Sequence, residues 1–412
     1  MCGIVGFLGD FSPNLIHDMV SKIKPRGPDD DGVFIDQINN VALGHTRLSI
    51  IDLSDAGHQP MVVSGKVALS YNGEIYNYKE LKVQLENKGY NFIGNSDTEV
   101  LLNLYLEYGI KSFEKLNGIF AIAIWDMSEK KLILIRDGLG VKPLYFYESK
   151  NSVIFSSELK AILCEPSVNR DLDPIASGQY LTYLWTPKDR TMLKSIKKVQ
   201  PGTILEISAD YKIKISNFYT PPLGIPDNDI SDKEAISLVR ESVKAAVERQ
   251  MVADVDVGAF LSGGLDSSSI VAFANKVTDK KLQCFTMNYH QDNDSPRELE
   301  NDLPYARTVA KALNVDLHEI SVDHTMIDRL PEMIYRLDEP QADPAILNSL
   351  FICELAKIHG IKVLLSGAGG DDIFTGYRRH YALSLEKYWS WLPHSARNGI
   401  KNISSMLPTD KT

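Results

Sequence analysis

Hydrophobic and polar positions alternate in short runs through the first half of the chain. VALSYNG at 67–73, IFAIAIWD at 119–126, KLILIRD at 131–137 and SVIFSSE at 152–158 are separated by turn residues, and each is expected to be a strand. Two stretches change period. YKELKVQLENKG at 78–89 places Leu81 and Leu85 four apart before Gly89. SDTEVLLNLYLEYG at 96–109 opens on capping residues, sets Leu101, Leu102, Tyr105 and Leu106 along one face and stops at Gly109. Helices of this kind cover sheets.

Beyond residue 216 the texture shifts. NFYTPPLGIPDNDISD, rich in Pro, Asp and Asn, reads as a linker. KEAISLVRESVKAAVERQ then carries Ile236, Val239, Val243 and Val247 at helical spacing. DVGAFLS, LQCFTMN, DLHEISV and IKVLLS are expected strands, alternating with helices SSIVAFANKV and LPYARTVAKALN. Such alternation implies a parallel sheet wrapped on both faces, with ligands at the carboxyl ends of its strands, so chemistry belongs in the loops after Leu261 and Leu365.

With 412 residues, two domains are the natural expectation, and 44% hydrophobic with 24% charged residues is a globular composition. A formal charge of −10 and the lack of a long basic run argue against nucleic acid or an anionic membrane as partner. Cys2, Cys164, Cys284 and Cys353 form no CxxC, which suits a reducing cytoplasm. The longest apolar run, GIFAIAIW at 118–125, is too short to span a bilayer, and a cytoplasmic location is expected.

MCGIVGF puts a thiol directly behind the initiator. Removal of Met1, which a small second residue permits, would leave Cys2 with a nucleophile and a free α-amine on one residue, the amine titrating at about 7.7–8.0. Arg47 in GHTRLSI offers a fork for a carboxylate. Asn72 and Gly73 in NGEIYN offer the amide and backbone N–H that an oxyanion needs. Asp97 in SDTE is a further carboxylate. Singly, each has an ordinary reading as strand start, surface cation, hairpin turn or helix cap. RDGLGVKPLYF at 136–146 has glycine spacing but opens no helix, and is assigned to structure.

CGI, HTRLSI, NGEIYN and SDTE, in that order, resemble the glutaminase domain of class II glutamine amidotransferases, within the N-terminal nucleophile hydrolases. The resemblance implies an αββα sandwich over about residues 2–205. It also implies a Cys2 attack that gives a γ-glutamyl thioester, an oxyanion held by Asn72 and Gly73, and a glutamine site of Arg47, Leu48, Ser49, Ile50, Ile51, Asn72, Gly73, Glu74 and Asp97. In it, Arg47 would take the α-carboxylate, and Asp97 with Glu74 the α-ammonium.

FLSGGLDSSS at 260–269 joins an expected strand to a helix. Its glycines turn N–H groups toward an anion, its serines add donors, and Asp266 inside an anion site makes sense beside magnesium. The Lys-Ser/Thr ending of a Walker loop is missing. SGGLDSS resembles the pyrophosphate loop of ATP pyrophosphatases, and the two halves together resemble the glutamine-hydrolysing asparagine synthetase family. That resemblance implies a ligase using ATP and Mg2+, with glutamine and aspartate as substrates and dimerisation. Leu261 and Met287 would flank adenine. Ser262, Gly263, Gly264, Ser267 and Ser268 would hold pyrophosphate, and Ser366 and Gly367 would contact ATP. Asp266 and Asp371 would carry the metal.

The expected organisation is therefore a glutaminase domain at 2–205, a linker at 206–231, and at 232–412 a doubly wound parallel-sheet domain that is short at its carboxy terminus. In LLSGAGGDDIFTGY at 364–377 the chain departs from the family, which usually has glutamate where this sequence has Ala368. Asp372 is a candidate to fill that role, orienting ammonia. The family also supplies a lysine for pyrophosphate about a hundred residues further on. The acidic stretch LDEPQADP at 337–344 reads as a solvated loop. Ala368 keeps two other functions open: amidation of another carboxylate, such as a sugar acid, or a glutaminase joined to a non-catalytic nucleotide-binding domain. His45, His58, His318 and His380 show no ligand spacing and read as structural or surface residues.

Overall fold

A computed structural model describes the chain apart from residues 223, 225–228, 290–301, 344, 389, 394, 396 and 398–412. Its first half is a sandwich of two six-stranded antiparallel sheets. One sheet orders its strands β10 (Ile196–Lys198), β8 (Tyr145–Ser149), β9 (Ser152–Ser156), β1 (Gly3–Gly9), β3 (Val41–Arg47) and β2 (Asp30–Asp36). The other runs β12 (Ile213–Asn217), β11 (Thr203–Ser208), β7 (Lys131–Arg136), β6 (Gly118–Asp126), β5 (Val67–Ile75) and β4 (Met61–Val63). The stretch expected as linker thus begins with the end of β11 and the whole of β12, which pair through Asn217.

Period-two alternation builds the layers. In β6, Phe120, Ile122 and Ile124 pack under helices α2 (Tyr78–Glu86) and α3 (Asp97–Tyr108), while Ala121, Ala123 and Trp125 face the opposite sheet. Both faces are buried, so the strand reads as one continuous apolar run. In β1, Ile4 and Leu8 meet that inner layer, and Val5 and Phe7 pack on the far side against Leu15, Ile16, Met19 and Ile23 of α1 (Asn14–Ile23). The order helix, sheet, sheet, helix is the expected αββα sandwich. The short α4 (Leu159–Ile162) lies on the α1 side, and α5 (Pro174–Tyr183) starts at a cap on Asp173.

The second half is a four-stranded parallel sheet ordered β15 (Asp316–Val322), β14 (Gln283–Tyr289), β13 (Val257–Phe260) and β16 (Val363–Leu365). The chain steps outward from β13 to β15 and then returns to the other side of β13. That reversal makes the carboxyl ends of β13 and β16 a switch point, where an open parallel sheet binds ligands. Val247 of α6 (Asp232–Gln250), Val271 of α7 (Leu265–Ala274), and Ala306 and Ala310 of α8 (Leu303–Leu313) share one core. Beyond α9 (Leu330–Leu337), α10 (Ala345–Ile358) covers Phe285 in a separate cluster.

The expected apolar face of α6 is buried only at its end. Ile236 and Val239 are exposed, because no described element packs over the first half of the helix. Among the described residues no helix is long and apolar enough to cross a membrane.

Among the described residues, two polar patches join the domains. At one, the Asp254 N–H donates to the Ile50 carbonyl (2.9 Å), the Asp52 N–H to Asp254 Oδ2 (2.7 Å), and Lys362 Nζ to Asp29 Oδ2 (2.7 Å). At the other, Glu339 accepts from Tyr145 (3.1 Å) and Thr186 (3.0 Å) and pairs with Lys198 (3.0 Å), while Asp338 reaches Lys160. The solvated reading of LDEPQADP therefore fails for Asp338 and Glu339, which are buried between domains with partners. Asp343 stays exposed and caps the Ala345 N–H at 2.9 Å.

Candidate active sites

Cys2 stands at the entry to β1, beside β3, so its Sγ meets the chain leaving β3: the Leu48 N–H lies 3.4 Å from it and the Leu48 carbonyl 3.6 Å. Burial pushes the thiol up from its ordinary value. Arg26 Nε donates to the Cys2 carbonyl at 2.9 Å. The Met1 amine is buried as well, which brings it down to about 5, and Lys142 Nζ lies 3.2 Å from Met1 Sδ.

One pocket is lined by Cys2, Arg47, Leu48, Ile50, Ile51, Gly73, Glu74 and Asp97, so the fold gathers most of the expected glutamine site. Ser49 and Asn72 do not line it. The Ser49 N–H donates to Asp29 at 2.8 Å, toward the domain boundary. Asn72 is 1% exposed, and its Nδ2 has no hydrogen-bond partner among the described residues. An unpaired buried donor costs stability unless a ligand engages it, which suits an oxyanion donor.

Arg47 is aimed by carbonyls: Nη1 donates to Ser54 at 2.9 Å and Nη2 to Asp52. A Cβ on Gly57 would overlap its guanidinium. Asp97 accepts from the Tyr71 hydroxyl (2.8 Å) and the Ile75 N–H (3.0 Å). The helix cap is Ser96, which accepts from the Glu99 N–H at 3.2 Å. Burial raises Asp97, and burial plus the Asp97 charge raises Glu74 further. Two desolvated carboxylates in one pocket invite a cation between them.

His45 is fully buried, held low near 3 by desolvation, with Nε2 3.0 Å from the Tyr71 carbonyl; it is a structural histidine. RDGLGVKP is structural too. Asp137 accepts from the N–H groups of Leu139, Val141 and Lys142, and Arg136 ties down the carbonyls of Gly140, Lys142 and Val199. Sequence reasoning missed Arg26, Lys142, Gln59 and Tyr71. Arg26 lies in KPRGP and Gln59 before Pro60, and no local period distinguishes either.

In the second domain a pocket of about 640 Å³ spans the switch point. Ser262, Gly264, Asp266 and Ser267 line it from the β13 side, and Ser366, Gly367 and Asp371 from the β16 side. Ser267 Oγ lies 3.0 Å from Ser262 Oγ, and the Gly264 N–H donates to Ser262 Oγ at 3.3 Å. Gly263 does not line the pocket. It turns at φ 83°, where a Cβ would come within 2.5 Å of Ala306 N on α8. Ser268 is also outside the lining, its Oγ buried with no hydrogen-bond partner among the described residues. Leu261 and Met287 are buried at the ends of adjacent strands and do not line this pocket.

Among the described residues no lysine or arginine lines the pocket, and Asp266 and Asp371 both do. A triphosphate would be repelled there without a cation. Two carboxylates plus phosphate oxygens form the donor set magnesium takes, so the residues present fit that ion. Among the described residues no cluster of three acidic, histidine or cysteine side chains could hold a metal by itself. Ala368 lines the pocket. Asp372 does not; it faces Arg379 at 3.5 Å, so the expected replacement for the family glutamate is turned away.

A thiol at the head of a central sandwich strand, joined to a parallel sheet with paired small-residue loops at its switch point, defines a two-domain glutamine amidotransferase. Residues 1–219 match the family described as "Glutamine amidotransferase domain", and residues 238–410 the one described as "Asparagine synthase". The chain belongs to this family of amidotransferases. It is 34% identical to asparagine synthetase [glutamine-hydrolyzing] 1 of Bacillus subtilis, over 99% of this chain and 64% of that one. It is 35% identical to a putative asparagine synthetase of Methanocaldococcus jannaschii, over 100% of this chain and 81% of that one. Identity is 31% with a Gibberella zeae protein named amidase chry2, over 95% of this chain and 62% of that one. The chain thus spans just under two thirds of the length of the B. subtilis relative.

Proposed function

We propose that the protein releases ammonia from glutamine in its first domain and uses ATP in its second to convert a carboxylate to an amide, aspartate being the favoured acceptor and asparagine the product. The observation that carries this reading is the pocket where the Cys2 thiol, the Arg47 guanidinium, and the Glu74 and Asp97 carboxylates converge. Those charges complement the α-carboxylate and α-ammonium of glutamine.

Arg47 takes the α-carboxylate, and the α-ammonium settles between Glu74 and Asp97, relieving their repulsion. With Met1 removed, the α-amine of Cys2 accepts the thiol proton. Sγ attacks the carboxamide carbon, and Asn72 Nδ2 with the Gly73 N–H holds the oxyanion. The tetrahedral adduct expels ammonia as the amine returns the proton. Water then cleaves the γ-glutamyl thioester to glutamate and free thiol.

In the second domain a carboxylate oxygen attacks the α-phosphorus of ATP, and the bond to pyrophosphate breaks. Ser262, Gly264 and Ser267, which line the pocket, hold the departing pyrophosphate, and Ser366 and Gly367 position ATP. Magnesium, held by Asp266 and Asp371, would offset the phosphate charge. Ammonia then attacks the acyl carbon, and AMP leaves.

A second reading keeps this chemistry and changes the acceptor to another carboxylate, such as a sugar acid. Ala368 and the outward-turned Asp372 favour it. The test is incubation with glutamine, ATP, Mg2+ and aspartate, assaying glutamate, AMP and asparagine. All three products support the first reading. Glutamate and AMP without asparagine would transfer support to the second, and pyrophosphate exchange into ATP screened across carboxylic acids would then name the acceptor. Glutamate with no AMP under any acceptor would leave a glutaminase with a nucleotide-binding partner domain.

A further inference from the structure

Asp338 ends α9 in the left-handed region, at φ 70°. That conformation is unfavourable for a residue with a side chain and persists where the surroundings over-determine it. Here it carries the carboxylate across the domain boundary, where it accepts from the backbone N–H groups of Leu159 and Lys160 and lies 3.4 Å from Lys160 Nζ.

The contact continues inward. Lys160 Nζ is 2.7 Å from Glu158 Oε2, Glu158 Oε1 is 3.0 Å from Arg26 Nη1, and Arg26 Nε donates to the carbonyl of Cys2 at 2.9 Å. The four side chains are only 7–14% exposed and alternate in sign. Arg26 Nη2 has no partner among the described residues, so the guanidinium is oriented by Glu158 on one side and Cys2 on the other. Buried charges in series depend on one another, because removing one leaves its neighbour desolvated and unpaired. On its other side, the segment after Asp338 leads into α10, whose Ser349 lines the ATP-side pocket.

We propose that Asp338 is a positioning residue for the Cys2 nucleophile. Through Lys160, Glu158 and Arg26 the second domain sets the backbone from which the thiol projects, and glutamine cleavage at full rate requires the docked domain. This rests on the reading of the first pocket as a glutaminase, and the measurements separate the two.

Asp338→Asn keeps the shape and an acceptor oxygen for Leu159 while removing the charge; Lys160→Met removes the next member. Each is expected to lower kcat for glutamate release about tenfold with KM for glutamine little changed, the signature of a displaced reacting group. Alkylation of Cys2 by iodoacetamide, mapped by mass spectrometry, should accelerate about threefold as the thiol loosens. AMP formation supported by added ammonia should stay near wild type, the double variant should be no worse than either single one, and Lys160→Arg should restore most of kcat.

Unchanged kcat and alkylation in both variants would overturn the proposal. So would additive losses in the double variant, or an equal fall in ammonia-supported AMP formation, which would mark general damage. If the wild-type protein releases no glutamate, the glutaminase reading fails, and the alkylation rates still decide whether Asp338 positions Cys2.

Discussion

The backbone N–H of Asp52 donates to the carboxylate of Asp254 across the domain boundary, at 2.7 Å. Carbonyls of Asp52 and Ser54 aim Arg47, and Ile50, whose carbonyl accepts from the Asp254 N–H, lines the same pocket. The second domain therefore props one wall of a site in the first. Asp254→Ala removes one charge-assisted bond at an exposed position, worth about 1 kcal/mol, and is expected to raise KM for glutamine about fivefold. Steady-state glutamate release would show this, with kcat unchanged. An unaltered KM would mean that the wall stands by itself.

Cys2→Ala should abolish glutamate release, with a loss of about a thousandfold or more, because the attacking atom is gone. The same variant should still form AMP when ammonium is supplied with ATP, Mg2+ and acceptor. Parallel assays of glutamate and AMP check both halves; retained glutaminase activity would move the nucleophile elsewhere.

Gly57→Ala places a methyl group where the Arg47 guanidinium lies. Since Arg47 contacts the non-reacting end of glutamine, the expected change is a KM increase of about ten- to a hundredfold with a smaller effect on kcat. Isothermal titration with glutamine on the Cys2→Ala background gives the binding term directly.

Glu74 and Asp97 both sit above the ordinary carboxylate range, through burial and, for Glu74, the neighbouring Asp97 charge. A carboxyl raised in the folded state binds its proton more tightly folded than unfolded. Its contribution to stability is complete below the unfolded value of about 4 and is lost as pH rises through the raised value. Glu74→Gln should therefore increase Tm at pH 7 by about 2–4 °C, with the gain shrinking toward pH 4. It should also raise KM for glutamine, whose ammonium loses an anionic partner. In the wild-type protein KM should climb as pH falls, starting above the range of an ordinary carboxylate. Calorimetry and kinetics across pH check the two signs, and a Tm decrease at pH 7 would contradict the burial argument.

Local chemistry was legible where the cause is local. The buried run at 118–125 became β6 because alternate residues serve two different cores. Ser96 and Gly109 bound α3, and the expected phosphate loop falls between β13 and α7. Readings failed where the deciding partner is far along the chain. Asp338 and Glu339 read as solvated because they stand in an acidic stretch, whereas Lys160 and Lys198, far along the chain, neutralise them in the fold. The face of α6 reads as buried by its period, but a period says nothing about whether another element arrives to cover it.

The sequence by itself determined β5, β6, β7 and β9, helices α2 and α3, the strand–helix alternation of the second half, and which residue types could bear a nucleophile, an oxyanion and a phosphate, since these follow from side-chain period, turn chemistry and capping over a few residues. Only the tertiary structure decided that Arg26 would hold the Cys2 carbonyl, that Asp266 and Asp371 would share one pocket, and that Asp338 would reach Lys160. Those pairings join positions separated by 24, 105 and 178 residues, and their distances are set by how sheets stack and domains dock, which no short window of sequence contains.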